Sequence, residues 1–375
     1  MPLVANMRVL HGPVNVGNQP WTLSRAEREL GLQSDVAVNY GTWLGYPADV
    51  TVGALGRKTI SEKLRRFAFG LRAPFKYDVI HYYFGRSFSL WDDHGMAFGR
   101  RAALDNWILR DVKLAKRLGK RTFMTLQGCD ARLAKRSFER NRWTPCHPER
   151  CGAFDACVKQ YDSDREAMAQ TLLPLMDQVF YLNPELGHYI PNGVFLPYAN
   201  VDVNNVEQQP PSGSRRIKIV HAPSDPKTKG TDLILAALDR LASKYQFDLI
   251  LVKGVPHGQA MEMYRGADLA IDQILYGWYG GFAVELMAMG KPVAAYIREE
   301  DKRFVPAQMW DELPILGLDP DHLERDLSKI LDRPELLIEH GRRSADFVRR
   351  WHDPRKIAGA LAKLYAHPGE ALSFV

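Results

Sequence analysis

Residues 266–297 read GADLAIDQILYGWYGGFAVELMAMGKPVAAYI, and this stretch decides the fold. Leu269 to Ile274 is an apolar run of strand length carrying Asp272. Gly277, Gly280 and Gly281 break it, Phe282 to Met289 has helical character, and Gly290 with Pro292 ends the helix before a second strand at Val293 to Ile297. Strand, glycine turn, helix and strand in succession predict a parallel sheet covered by helices. The first N–H groups of a helix have no partner inside it, and the helix dipole adds to their pull on anions. Gly280 and Gly281 allow close approach, so a phosphate is the expected ligand at that turn. Glu285, about one turn further in, is unsuited to phosphate but able to accept hydrogen bonds from a ribose or sugar hydroxyl. The bland alternative is a tight turn followed by a carboxylate that complements the dipole.

The same alternation runs outward in both directions. Strands are expected at Arg8 to His11, Asp35 to Asn39, Asp78 to Tyr83, Arg121 to Leu126 and Gln178 to Leu182. Helices are expected at Trp21 to Leu30, with Leu23, Ala26 and Leu30 on one face, and around Arg101 to Arg117. The stretch from Val203 to Arg216, VNNVEQQPPSGSRR, lacks periodicity and reads as a linker. Alternation then resumes, with strands at Ile217 to His221 and Phe247 to Val252, a helix at Thr231 to Tyr245, and closing helices at Leu323 to Leu331, Pro334 to Trp351 and Pro354 to Tyr365. Two doubly wound α/β domains are therefore predicted, with ligands at the carboxyl ends of their strands in a cleft between them.

A chain of 375 residues, 46% hydrophobic and 25% charged, has room for two such cores. It shows no membrane-spanning run, and Met1 to Asn15 lacks the pattern of a signal peptide, so a cytoplasmic location is expected. Arg57, Lys58, Lys63, Arg65, Arg66, Arg72 and Lys76 face Glu62 alone, which matches the whole chain's net charge of +6. Leu64, Phe67, Phe69, Leu71 and Phe75 lie among them. This basic amphipathic segment suits anionic lipid on the inner membrane face, or an acidic acceptor; a solvated loop is the bland alternative. With no nucleic-acid motif beside the basicity, nucleic acid is not an expected partner. Cys129, Cys146, Cys151 and Cys157 cluster near His147, but their irregular spacing favours reduced thiols over a structural zinc site.

Gly281-Phe-Ala-Val-Glu285-Leu-Met-Ala-Met-Gly290-Lys-Pro-Val293 resembles the donor signature of the retaining nucleotide-sugar glycosyltransferases of GT-B fold, family 4 in particular. Lys229-Gly230 matches that family's K-G element, and Ala199-Asn-Val-Asp202 is similar to its N-G-V-D step out of the first domain. The resemblance implies an acceptor-binding domain over residues 1–198 and a donor-binding domain over 199–375, with the last helix packing back on the first. It implies that Glu285 holds the donor ribose and that the backbone of Gly280, Gly281, Phe282 and Ala283 meets the diphosphate. Lys229 would carry the charge that grows on the leaving diphosphate. Gly12 and Gly17 correspond to the loop where acceptor and donor phosphate approach.

Three positions depart from the family pattern. Gly277 stands where a carboxylate is usual, and Ser224 replaces an arginine, leaving Lys227 to share the phosphate charge. Where the first domain often offers a histidine, this chain reads Thr125-Leu-Gln127-Gly-Cys-Asp130-Ala-Arg132. Gln127 cannot serve as a base near neutral pH, so Asp130 is the nearest ionisable group to position an acceptor hydroxyl, with His81 a second candidate. The expected activity is metal-independent transfer of a hexosyl group with retention, from a nucleotide-diphosphate sugar to a glycan, lipid-linked or small-molecule acceptor in glycan biosynthesis. No cofactor beyond the donor is implied. Asp92-Asp93 and Asp319-Pro-Asp321 read as loop acids rather than a metal motif. The alternatives are a nucleotide-sugar epimerase or phosphorylase, or a non-catalytic nucleotide-sugar-binding scaffold.

Overall fold

Short apolar runs become the inner strands of two all-parallel sheets in the computed structural model, which describes residues 6–41, 45–54, 59–89 and 109–374. Arg57, Lys58, Asp92, Asp93 and the first part of the helix expected over 101–117 lie outside the described residues. The chain forms two compact units: residues 1–133, 156–200 and 354–375 in one, residues 134–155 and 201–353 in the other. Residues 134–155 thus group with the second unit and the last helix with the first.

In the first unit β1 (Arg8–Gly12), β2 (Gln33–Val38), β3 (Val50–Thr51), β4 (Val79–Tyr83), β5 (Arg121–Leu126), β6 (Gln178–Tyr181) and β7 (Val194–Phe195) form a sheet of order β3-β2-β1-β4-β5-β6-β7. The order reverses between β1 and β4, which pair in parallel from Val9↔Val79 to Gly12↔Tyr82. All five residues of β4 are buried, as expected of a central strand covered on both faces. Val9, Leu23, Phe123, Phe180, Leu361 and Tyr365 share one core, so helix Pro354–Ala366 is part of this unit. Leu23 and Ala26 of helix Gln19–Glu29 are buried as expected, but Leu30 sits at its C-cap and is 44% exposed.

In the second unit β8 (Ile217–His221), β9 (Phe247–Leu251), β10 (Leu269–Ile271), β11 (Val293–Ala295) and β12 (Leu316–Gly317) form a sheet of order β12-β11-β10-β8-β9. Its order reverses between β8 and β10, paired at Leu269↔Ile219 and Ala270↔Val220. The segment 203–216, expected as a free linker, is instead fastened to this unit. The N–H of Gln209 donates to the Met289 carbonyl (2.8 Å) and the N–H of Ser212 to the Asp268 carboxylate (2.6 Å). These bonds satisfy an extended, proline-bearing backbone that has no strand neighbour. Among the described residues, no helix is long and apolar enough to cross a membrane.

Candidate functional site

Open α/β sheets bind ligands outside the carboxyl ends of the strands flanking the point of order reversal. In the second unit those strands are β8 and β10, and the chain leaves them at His221 and Ile271. His221 is a buried tie rather than a base. Its Nδ1 lies 2.8 Å from the Ile271 carbonyl, its Nε2 lies 2.8 Å from Thr231 Oγ1, and burial pulls its pKa down to about 4. Neutral, it donates from Nδ1 to the carbonyl and accepts the Thr231 hydroxyl at Nε2, clamping helix Thr231–Leu241 to both strands.

Lys229 ends the short helix Pro226–Lys229, which is capped by Asp225 accepting from the Lys227 N–H. Gly230 follows with φ 78°, and a Cβ there would stand 2.6 Å from Cγ1 of Ile274. Only glycine fits both the left-handed turn and the close approach, which explains the Lys229-Gly230 pair physically. The turn presents the Lys229 ammonium to Asp272, with Nζ 3.4 Å from Oδ1. The other oxygen of Asp272 accepts the N–H of Gly280 at 2.7 Å. Asp272, almost fully buried, thus ties the lysine to the residue that opens the glycine-turn helix. Lys227 and Ser224 are exposed.

Helix Gly281–Ala288 is apolar apart from Glu285, and Ala283 to Ala288 are buried, so only its first turn meets solvent. Gly281 and Phe282 are the half-buried residues of that turn, with Ala283 directly beneath them. Phe282 packs edge-on against Tyr264, with centroids 5.1 Å apart. Glu285 lies one turn deeper, and its Oε1 is 2.7 Å from Nε2 of His257. That hydrogen bond raises the His257 pKa above the ordinary histidine range, against the opposing effect of burial. His257 opens helix His257–Arg265, so a second helix start flanks the same carboxylate.

Gly277 cannot carry a side chain. It has φ 72°, and a Cβ would stand 2.6 Å from Nη1 of Arg298. Arg298 is buried, pairs with Asp301 (3.1 Å) and donates to the Trp143 carbonyl (2.8 Å). A guanidinium therefore backs the loop at the position where the resemblance led us to expect a carboxylate. Tyr276 reaches across the loop to Thr228 Oγ1 at 3.3 Å.

In the first unit, Gly12 packs too closely against the Ala37 carbonyl and the Phe88 ring for any Cβ, whereas Gly17 has φ 63° in open space. Gln127 is half-buried and donates from Nε2 to the Val16 carbonyl (3.0 Å), joining the loop after β5 to the one after β1. Asp130 is turned into its own loop, where Oδ2 accepts the Gln127 N–H at 2.9 Å and Oδ1 accepts the Gly128 N–H. Burial pushes its pKa up despite those bonds. His81 is fully buried between Tyr365 Oη and Thr125 Oγ1, each at 2.7 Å, and is a core residue. The four cysteines form no disulfide, and among the described residues no three His, Cys, Asp or Glu side chains are grouped to hold a metal. Asp319 pairs with His322, and Asp321 with Arg142 and Trp143.

The structure brings Lys229, Gly280, Gly281, Phe282, Ala283 and Glu285 to one edge of the second unit, and Gly12, Gly17, Gln127 and Asp130 to one edge of the first. Sequence reasoning missed His257, the coupling of Asp272 to Lys229, and Arg298 behind Gly277. Asp272 at a strand end was a usable signal. His257 and Arg298 are 28 and 21 positions from their partners, and no spacing rule reaches so far.

No family model and no curated protein matches the chain. Solved structures do. Sucrose-phosphate synthase from Thermosynechococcus elongatus has a TM-score of 0.60 at 14% identity, covering 96% of this chain and 98% of its own. HepE from Anabaena in complex with UDP-glucose has a TM-score of 0.59 at 10% identity, covering 96% and 99%. The catalytic domain of starch synthase IV from Arabidopsis thaliana, bound to ADP and acarbose, has a TM-score of 0.57 at 12% identity, covering 97% and 99%. This chain has the GT-B fold of two Rossmann-like domains, as the alternating pattern and the donor-like block led us to expect.

Proposed function

We propose that the protein is a glycosyltransferase that moves a hexosyl group from a nucleotide-diphosphate sugar to an acceptor hydroxyl, with retention of configuration. The observation that carries this reading is the convergence of Lys229, the start of helix Gly281–Ala288 and Glu285 at the order reversal of the second sheet. Three chemistries needed by such a donor lie in sequence there: a cation and helix N–H groups for the diphosphate, then a carboxylate for the ribose diol. Starch synthase IV bound to ADP and HepE bound to UDP-glucose, relatives in fold, support a nucleotide ligand.

In this reading Lys229 and the helix start meet the charge that develops on the departing diphosphate, without calling on a metal ion. Asp272 holds the ammonium in place before donor binds. The backbone near Gly280 to Ala283 approaches the phosphates, and Lys227 lends its charge from the exposed side of the same loop. In the first unit Gln127 orients the acceptor hydroxyl, Asp130 holds Gln127's loop in position, and the Gly12 to Gly17 loop frames the reacting groups. Membership of family 4 and a role in glycan biosynthesis belong to the same proposal.

Calorimetric titration with nucleoside diphosphates tests the donor site. Glu285→Ala should weaken binding of a ribonucleotide while leaving a 2′,3′-dideoxynucleotide unaffected; unchanged ribonucleotide affinity removes Glu285 from the ribose. Proton NMR of the transferred anomeric centre tests retention. A non-catalytic nucleotide-sugar binder is the second reading, favoured by Arg298 behind Gly277 and by the inward turn of Asp130. Donor binding with no turnover over a broad acceptor panel would establish it in place of the first.

A further inference from the structure

Helix Ile60–Lys76 is mounted with its apolar side outward. The face buried in the first unit consists of Glu62, Arg66, Gly70, Ala73 and Pro74. Glu62 accepts the Ala54 N–H at 3.1 Å, and Arg66 lies 5.5 Å over the Tyr40 ring. A Cβ on Gly70 would stand 3.0 Å from Cβ of Phe88 and 3.1 Å from that of Asp111, so this face alone allows the close approach observed. These contacts fix the rotation of the helix about its axis.

Ile60, Leu64, Ala68, Leu71 and Phe75 recur every three or four residues on the opposite side, which makes a continuous stripe about 20 Å long. Ile60 is 73% exposed, Leu64 53% and Phe75 67%, and Ile60 and Phe75 are the most exposed large apolar side chains among the described residues. Helical spacing sets Arg65, Arg72 and Lys76 in a row along one flank of the stripe, and all three are exposed. Glu62 is the helix's only acid, and it is on the buried side. Lys76, at the end of that row, pairs with Asp35 (3.2 Å), so Arg65 and Arg72 are the cations that edge the stripe toward a partner. A wide apolar stripe edged by two arginines fits the boundary between acyl chains and anionic headgroups.

We propose that this face docks the protein on an anionic lipid bilayer, with the helix lying parallel to the surface. Ile60, Leu64 and Phe75 enter the acyl boundary, while Arg65 and Arg72 meet headgroup phosphates. The proposal stands on the helix alone and is independent of the sugar-transfer reading.

The test is co-sedimentation of the full chain with vesicles of phosphatidylcholine alone and of phosphatidylcholine with about one third phosphatidylglycerol, at about 0.1 M salt. Binding to the anionic vesicles should exceed binding to the neutral ones by about tenfold or more. Ile60→Ser/Leu64→Ser/Phe75→Ser should lose binding to both, and Arg65→Gln/Arg72→Gln should lose the preference for anionic lipid. Unchanged melting temperatures show that both variants remain folded, since all five side chains are exposed. Absence of binding to either vesicle overturns the proposal. So does sedimentation velocity showing a dimer that the triple serine variant dissolves, because the stripe would then cover a second copy.

Discussion

His257 holds Glu285 through a 2.7 Å contact between Nε2 and Oε1, and this pair sits where a donor ribose is proposed to bind. Because the carboxylate raises the histidine pKa above its unfolded value, the pair contributes stability that is fully present below the unfolded pKa of about 6.5. That contribution is lost as pH rises through the folded pKa. The melting-temperature gap between the wild type and His257→Gln should therefore be widest near pH 6 and narrow on the alkaline side. Melts across a pH series check it, and a gap that widens with pH would count against the pair.

Lys229→Ala should slow transfer by a factor on the order of a hundred or more, the usual cost of losing one leaving-group contact. Single-turnover rates at saturating donor measure it. A near-native rate would mean that the charge is met elsewhere.

Asp272→Ala should destabilise the protein more than Asp272→Asn. Alanine leaves the Gly280 N–H and the Lys229 ammonium without their shared acceptor, whereas asparagine keeps an oxygen for the N–H. Breaking a buried pair by removing one partner typically costs about 3–5 kcal/mol. Urea denaturation of both variants ranks them, and equal midpoints would contradict the shared-carboxylate geometry.

Gly230→Ala meets two separate obstacles, a left-handed backbone and the Ile274 side chain. The first costs about 1–2 kcal/mol and the second about 1–3 kcal/mol. Combining it with Ile274→Ala relieves only the steric part, so the double variant should be less destabilised than the sum of the singles by about 1 kcal/mol or more. Simple additivity would show that the clash is relieved by backbone movement instead.

Gly277→Asp supplies in sequence the carboxylate that the resemblance led us to expect there, but should not supply it in function. The new Cβ would press on Arg298 in a left-handed backbone, so a large loss of melting temperature is expected. A stable Gly277→Asp protein with faster turnover would show that the Arg298 guanidinium can move aside.

The parallel-sheet architecture was legible because it is written locally. Runs such as VIHYY at Val79–Tyr83 and LAI at Leu269–Ile271 are short and mostly apolar, and Gly280 with Gly281 marks the helix start. Glu285 could be singled out for the same reason, since it follows the glycine turn by one helical turn, whereas Lys229 was reached only through the resemblance of Lys229-Gly230 to a family motif. The reach of that logic is a few residues. Asp130 illustrates its limit: the residue type suits chemistry, but only the folded loop shows its carboxylate turned onto the Gln127 and Gly128 N–H groups.

By itself, then, the sequence determined the strands, the helices between them and the glycine turns, because backbone preference and apolar periodicity act over neighbouring residues. The tertiary structure decided which chemical groups meet. It paired His257 with Glu285 and Asp272 with Lys229, set Arg298 behind Gly277, and turned the apolar side of helix Ile60–Lys76 outward. Those outcomes depend on strand order and on close packing at positions such as Gly70, where shape complementarity between distant segments, not local pattern, selects the arrangement.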